Sequence, residues 1–160
     1  MDEESQSGNE STGAANAGEL DFIRWDDAEM ATGVPSIDQQ HRELIRNLNE
    51  LHHAYLAGAS YHDIQKIIRF LGRFVEIHFR HEEGLMEKFK CPLRAVNRLE
   101  HAKFLHEYQE LVASFSLESD PDQFAKEIKN MAARWLSSHI CRVDISLRDV
   151  ADSASVPPQE

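Results

Sequence analysis

The segment HFRHEEGLM, residues 78–86, decides the fold. Its flanks are IIRFLGRFVEI before and EKF after, and the whole reads as one long amphipathic helix. Ile64, Ile67, Ile68, Leu71, Phe74, Val75, Leu85, Met86 and Phe89 recur at steps of three and four, the signature of one helical face. His78 and Glu82 fall on that same face. Being four residues apart, they lie about 40° apart around the helix and project side by side. A carboxylate turned into a core is costly unless it is paired or bound to a cation. What the other helices place opposite this pair therefore matters.

Working outward, three more helices of the same kind appear. A first helix starts near Ser36, where SIDQ has the form of a capping box, and Gly58 is its stop. Its stripe reads Ile37, His41, Leu44, Ile45, Leu48, Leu51 and Tyr55. The second, carrying HFRHEEGLM, starts at the box SYHD on Ser60 and ends before Pro92. Gly72 and Gly84 inside it each cost about 1 kcal/mol against alanine, so packing must support it. The third runs from about Leu93 to Phe115 with Asn97, His101, Phe104, Leu105, Tyr108 and Leu111 on its face. The fourth is announced by the capping box DPDQ, with Asp120 as N-cap, Pro121 at the first helical position and Gln123 closing the box. Its face carries Phe124, Ile128, Met131, Trp135, His139 and Val143. Short links make neighbours antiparallel, which predicts an all-α, up-down-up-down four-helix bundle.

The bundle is expected over residues 21–150, with residues 21–35 as an ordered arm that is not helical and that docks through Phe22, Ile23 and Trp25. Residues 1–20 carry five acids and no lysine or arginine, and read as a disordered acidic tail. Residues 151–160 read as a flexible tail. The net charge of −11 disfavours nucleic acid and anionic membrane surfaces, which would repel it. No apolar run approaches the ~20 residues of a membrane helix. The two cysteines, Cys91 and Cys141, form no disulfide scaffold, so a reducing cytoplasm is expected.

Each helix thus sets a metal-competent side chain on its apolar stripe: His41, His78 with Glu82, His101 and His139. One such histidine alone is more often a hydrogen-bonded core residue. Four helices doing so together point to a metal in the bundle core. Imidazole with carboxylate suits iron, zinc or manganese better than calcium. His52, His53, His62, His81 and His106 lie off these faces and read as surface or boundary residues. Glu83 reads as a solvated partner for a base.

Taken together, GVPSIDQQH, HFRHEEGLM, HAKFLHEY and WLSSHICRVD resemble the hemerythrin family, especially its bacterial members, over about residues 22–147. The resemblance implies two non-haem irons bridged by carboxylates inside the bundle, held by five histidines and two acids. Carried over, His41 and His78 hold one iron, and His101 and His139 the other. Glu82 and Asp144 bridge them. Trp135 and Ile140 match the family's apolar O2 pocket. Asp144 lies five residues past His139, about 140° around an ideal helix, so the last helix must bulge, bend or end there. The fifth histidine falls on Asn97, leaving six of the seven expected ligands. An amide oxygen is a weaker donor than imidazole, and a water could take that place. The loss is expected to open a second exchangeable position or to weaken iron retention.

The resemblance implies reversible O2 binding for carriage, storage or sensing. The residues show no dedicated catalytic acid, base or substrate cleft outside the metal site. A second function class is a redox enzyme acting on peroxide or nitric oxide at an open iron position. A third is a redox sensor that signals to a protein partner through the tails. A bundle empty of metal is the fourth.

Overall fold

The computed structural model of the chain describes residues 21–154, with side chains described through 150. The acidic tail expected over 1–20, and residues 155–160 of the expected C-terminal tail, lie outside the described residues. Six helices follow in order: α1 (Asp27–Met30), α2 (Pro35–Leu56), α3 (Tyr61–Lys88), α4 (Arg94–Ala113), α5 (Pro121–Ile140) and α6 (Leu147–Ala154). A 3-10 turn, Asp144–Ser146, separates α5 from α6. There is no strand among the described residues. The four long helices form the bundle, with α2 and α4 each packed on both α3 and α5.

Helix starts and stops follow local chemistry, with two departures from expectation. Ser60 caps α3 as the SYHD pattern requires, accepting from the Asp63 amide at 3.3 Å. Asp120 caps α5 through the Asp122 amide at 3.0 Å, but Gln123 does not close the box and instead bonds Glu127 at 2.6 Å. SIDQ is not used as a box. Pro35, with its preset φ, starts α2 one residue earlier, behind Val34. Ser36 Oγ is left to meet His81 Nε2 at 3.1 Å. Gly58 closes α2 at a φ of +63°.

The arm is not wholly irregular. Asp26 accepts from the amides of Ala28 and Glu29, and this cap supports the single turn α1. Asn49 of α2 ties down the strand-like stretch before it, accepting from the Phe22 and Ile23 amides at 3.0 Å each. Arg42 lies 4.6 Å from the Trp25 ring and pairs with Asp27. At the other end α6 runs four residues past position 150, because Leu147 and Val150 pack into a second apolar cluster with Ile37, Met86, Cys91 and Val143.

That second cluster positions the site. The main core, built on residues such as Leu48, Leu51, Ile68, Val75, Phe104, Ile128 and Leu136, fills the opposite end of the bundle. Between the two apolar layers, each long helix passes through one polar level. Ile37, His41 and Leu44 follow one another this way on α2, as do Met86, Glu82, His78 and Val75 on α3.

The two interior glycines of α3 are not equivalent. A Cβ at Gly72 would come within 2.8 Å of the Tyr108 hydroxyl, which donates to the Ile68 carbonyl at 2.5 Å. A Cβ at Gly84 would meet nothing within 4 Å. Gly84→Ala is therefore expected to stabilise the protein by about 0.5–1 kcal/mol. Gly72→Ala is expected to destabilise it by about 1–3 kcal/mol through overpacking. Thermal unfolding midpoints check both, and shifts in the same direction would refute the assignment.

Candidate metal centre

All six expected ligand residues meet at the polar level, and all are buried: His41 0%, His78 1%, Glu82 0%, His101 1%, His139 0% and Asp144 1% exposed. The four imidazoles turn their Nε2 atoms inward. Glu82 Oε2 lies 3.7 Å from His78 Nε2 and 3.5 Å from His101 Nε2. Asp144 lies 3.4 Å from His41 Nε2 and 3.1 Å from His139 Nε2. Each carboxylate thus stands between one histidine of the α2/α3 pair and one of the α4/α5 pair. Potential ligand atoms of His41, His78 and Glu82 form one group within 4.8 Å, and those of Glu82, His101, His139 and Asp144 a second.

Asp144 reaches the site because α5 ends at Ile140. The chain then tightens through residues 141–143 into the 3-10 turn, which swings the side chain back inward. The last helix therefore ends where the spacing of His139 and Asp144 required.

The residues fit a cation. Both oxygens of Glu82 and of Asp144, and His41 Nε2, are buried without a hydrogen-bond partner. Burial pushes the Glu82 carboxyl well up, and the neighbouring Asp144 charge adds to it. For Asp144, burial acts upward too, but His139 and His41 outweigh it and hold the carboxyl well below the usual range. Burial, with the positive His139 beside it, lowers His101 to about 3, and burial also lowers His78. Neutral imidazoles are the form that binds metal. His139 is raised, because Asp144 and Glu100 outweigh its burial.

Asn97 is fully buried, with Oδ1 2.8 Å from His139 Nε2, and its Nδ2 has no partner. It occupies the expected face beside the α4/α5 pair. Of the two residues matched to an O2 pocket, Trp135 stacks on His139 with centroids 4.2 Å apart and lines an apolar cavity of about 10 Å3 with Leu44, Val75 and Phe104. That volume is about one water, and its walls are apolar. Leu44, Val75, Phe104 and Trp135 each stand one helical turn from a site histidine. Ile140 is fully buried in the main core and does not line this cavity.

The side chains behind the imidazoles were not legible in the pattern. Gln40 Oε1 lies 3.0 Å from His78 Nδ1, Glu83 Oε1 3.0 Å from His101 Nδ1, and Glu100 Oε2 2.6 Å from His139 Nδ1. Each is the immediate neighbour of its own helix's ligand, and each serves a histidine on the next helix. Glu83 is thus half-buried against His101 as well as paired with Arg98, not simply solvated. The five remaining histidines stay outside: His62, His81 and His106 are exposed, and His52 and His53 half-buried.

Comparison with known proteins agrees with this arrangement. Residues 32–146 match the family described as the Hemerythrin HHE cation binding domain. A bacteriohemerythrin of Stenotrophomonas maltophilia is 32% identical over 119 residues, 74% of each chain. One of Pseudomonas aeruginosa is 30% identical over 125 residues, 78% of each chain. A wild-type hemerythrin crystal structure superposes with a TM-score of 0.64 at 26% identity, covering 78% of this chain and 93% of that one. No described helix is long and apolar enough to cross a membrane. With four inward imidazoles, two carboxylates between them and this match, the chain belongs to the hemerythrin family.

Proposed function

We propose that the protein is a non-haem di-iron protein that binds O2 reversibly. The observation that carries this reading is the placement of each buried carboxylate between one histidine of each pair. His41 and His78 would hold one iron, and His101 and His139 the other. Glu82 and Asp144 would span them. The irons, when bound, supply the electrons that O2 takes up on binding and returns on release.

The chain's own residues keep that exchange reversible. Trp135, Phe104, Val75 and Leu44 exclude water from the side of the site that faces the main core. Phe79 stacks on the His101 ring with centroids 3.6 Å apart and fixes its plane. Gln40, Glu83 and Glu100 accept from Nδ1–H and so keep Nε2 free as the inward donor. Both cysteines are free thiols, which supports a reducing, cytoplasmic setting. The tails are the places from which a protein partner could be engaged for sensing.

The test is to load the protein with iron without oxygen, count metal per chain, and follow the visible spectrum as O2 is admitted and removed. About two irons and a band that comes and goes with O2 support the reading. One iron or none overturns it. Asn97 favours one further reading, a redox enzyme acting on peroxide or nitric oxide, because an iron with one imidazole fewer would have a second position for a labile ligand. Irreversible conversion by O2, with peroxide turnover in the presence of a reductant, would select that reading.

A further inference from the structure

The outer hydrogen bonds of the four imidazoles are graded. His41 Nδ1 has no partner. His78 Nδ1 has a neutral amide, Gln40. His101 and His139 have carboxylates, Glu83 and Glu100. Both carboxylates therefore serve the pair whose third histidine is replaced by Asn97, and neither serves the other pair.

We infer that Glu83 and Glu100 compensate for the absent histidine by strengthening His101 and His139 as metal donors. The inference rests on the two-metal reading above. An imidazole that donates Nδ1–H to a carboxylate gains imidazolate character, and its Nε2 becomes a stronger donor. Charge-assisted bonds of this kind are also shorter and stronger than neutral ones. Glu100 acts most strongly, at 2.6 Å, and among the described residues it pairs with His139 alone. Glu83 is farther, at 3.0 Å, and divides its charge with Arg98 at 3.6 Å. Asn97, Glu100 and His101 lie within two turns of α4, so the lost ligand and its compensation sit side by side. Glu83 and Glu100 are positioning residues; they do not touch the metal themselves.

The test uses cobalt(II) added to the metal-free full chain, with bound ions counted and the visible cobalt bands recorded. The proteins are wild type, Glu100→Gln, Glu83→Gln, Asn97→His and the Asn97→His/Glu100→Gln double variant. Glutamine keeps an acceptor for Nδ1–H and removes only the charge. Circular dichroism of each metal-free variant checks the fold. Wild type is expected to bind two ions. Glu100→Gln is expected to keep the first and weaken the second about 10–100-fold, with shifted bands. Glu83→Gln is expected to weaken it less. In the Asn97→His background, the Glu100→Gln loss is expected to shrink below about tenfold. An unchanged second ion in Glu100→Gln, or an equal loss in both backgrounds, overturns the inference while leaving two-metal binding intact. A wild type that binds fewer than two ions instead overturns the two-metal reading, and this inference with it.

Discussion

Glu82→Met is expected to raise the stability of the metal-free protein by about 1–3 kcal/mol and to abolish binding of two metals. Both effects come from one fact: the Glu82 side chain is fully buried and neither oxygen has a hydrogen-bond partner. Methionine fills a similar volume and carries no group that needs a partner. The site histidines remain, but the carboxylate between His78 and His101 does not. The gain depends on pH in a fixed sense. Glu82 titrates well above 4.5 in the folded chain, chiefly through burial, and near 4.5 when unfolded. Above pH 4.5 the unfolded state therefore binds fewer protons than the folded one, and wild-type stability falls as pH rises. The lead of the methionine variant widens over the same range. Urea unfolding of both metal-free proteins at pH 5 and pH 7 checks this. A destabilised variant, or a lead that narrows with pH, would sink the interpretation.

Asn97→His is the second large effect, and it has opposite signs with and without metal. Asn97 is 0% exposed and already 2.8 Å from His139 Nε2, so a larger ring overpacks the metal-free core at a cost of about 1–3 kcal/mol. Once metal is present, a third imidazole joins His101 and His139. Affinity for the second ion is then expected to rise at least about tenfold, and autoxidation to slow. Iron retained against a chelator, and the rate of spectral oxidation in air, measure the two. If neither differs from wild type, Asn97 is not a vacated ligand position.

The fold was legible because each long helix carries one apolar stripe with an interrupting histidine, and the period of that stripe fixes which residues meet. His41, His78, Glu82, His101 and His139 could be read from spacing alone. Asp144 could not, because its angle is wrong for a helix that continues; only the family likeness pointed to it, and the 3-10 turn explains how it arrives. SIDQ misled because a proline one residue upstream took over the helix start. Gln40, Glu83 and Glu100 were missed for a more general reason. Each sits about 100° from its own helix's ligand. In isolation that is the angle of a solvated side chain, and in a bundle it is the direction of the neighbouring helix. An acceptor flanking a buried ligand is the signal that could have found them.

The 3-10 turn that delivers Asp144 also sets a clock for assembly. His41 leaves the ribosome 103 residues before Asp144. At ~5–20 residues per second, that is an interval of about 5–20 s. During it, α2, α3 and α4 can begin to pack while the carboxylate nearest both His41 and His139 does not yet exist. The second apolar cluster is equally incomplete, since Val143 and Leu147 also come last. A nascent chain therefore offers an arriving ion an open and partial set of donors, and the complete set closes only after synthesis has passed the end of α5.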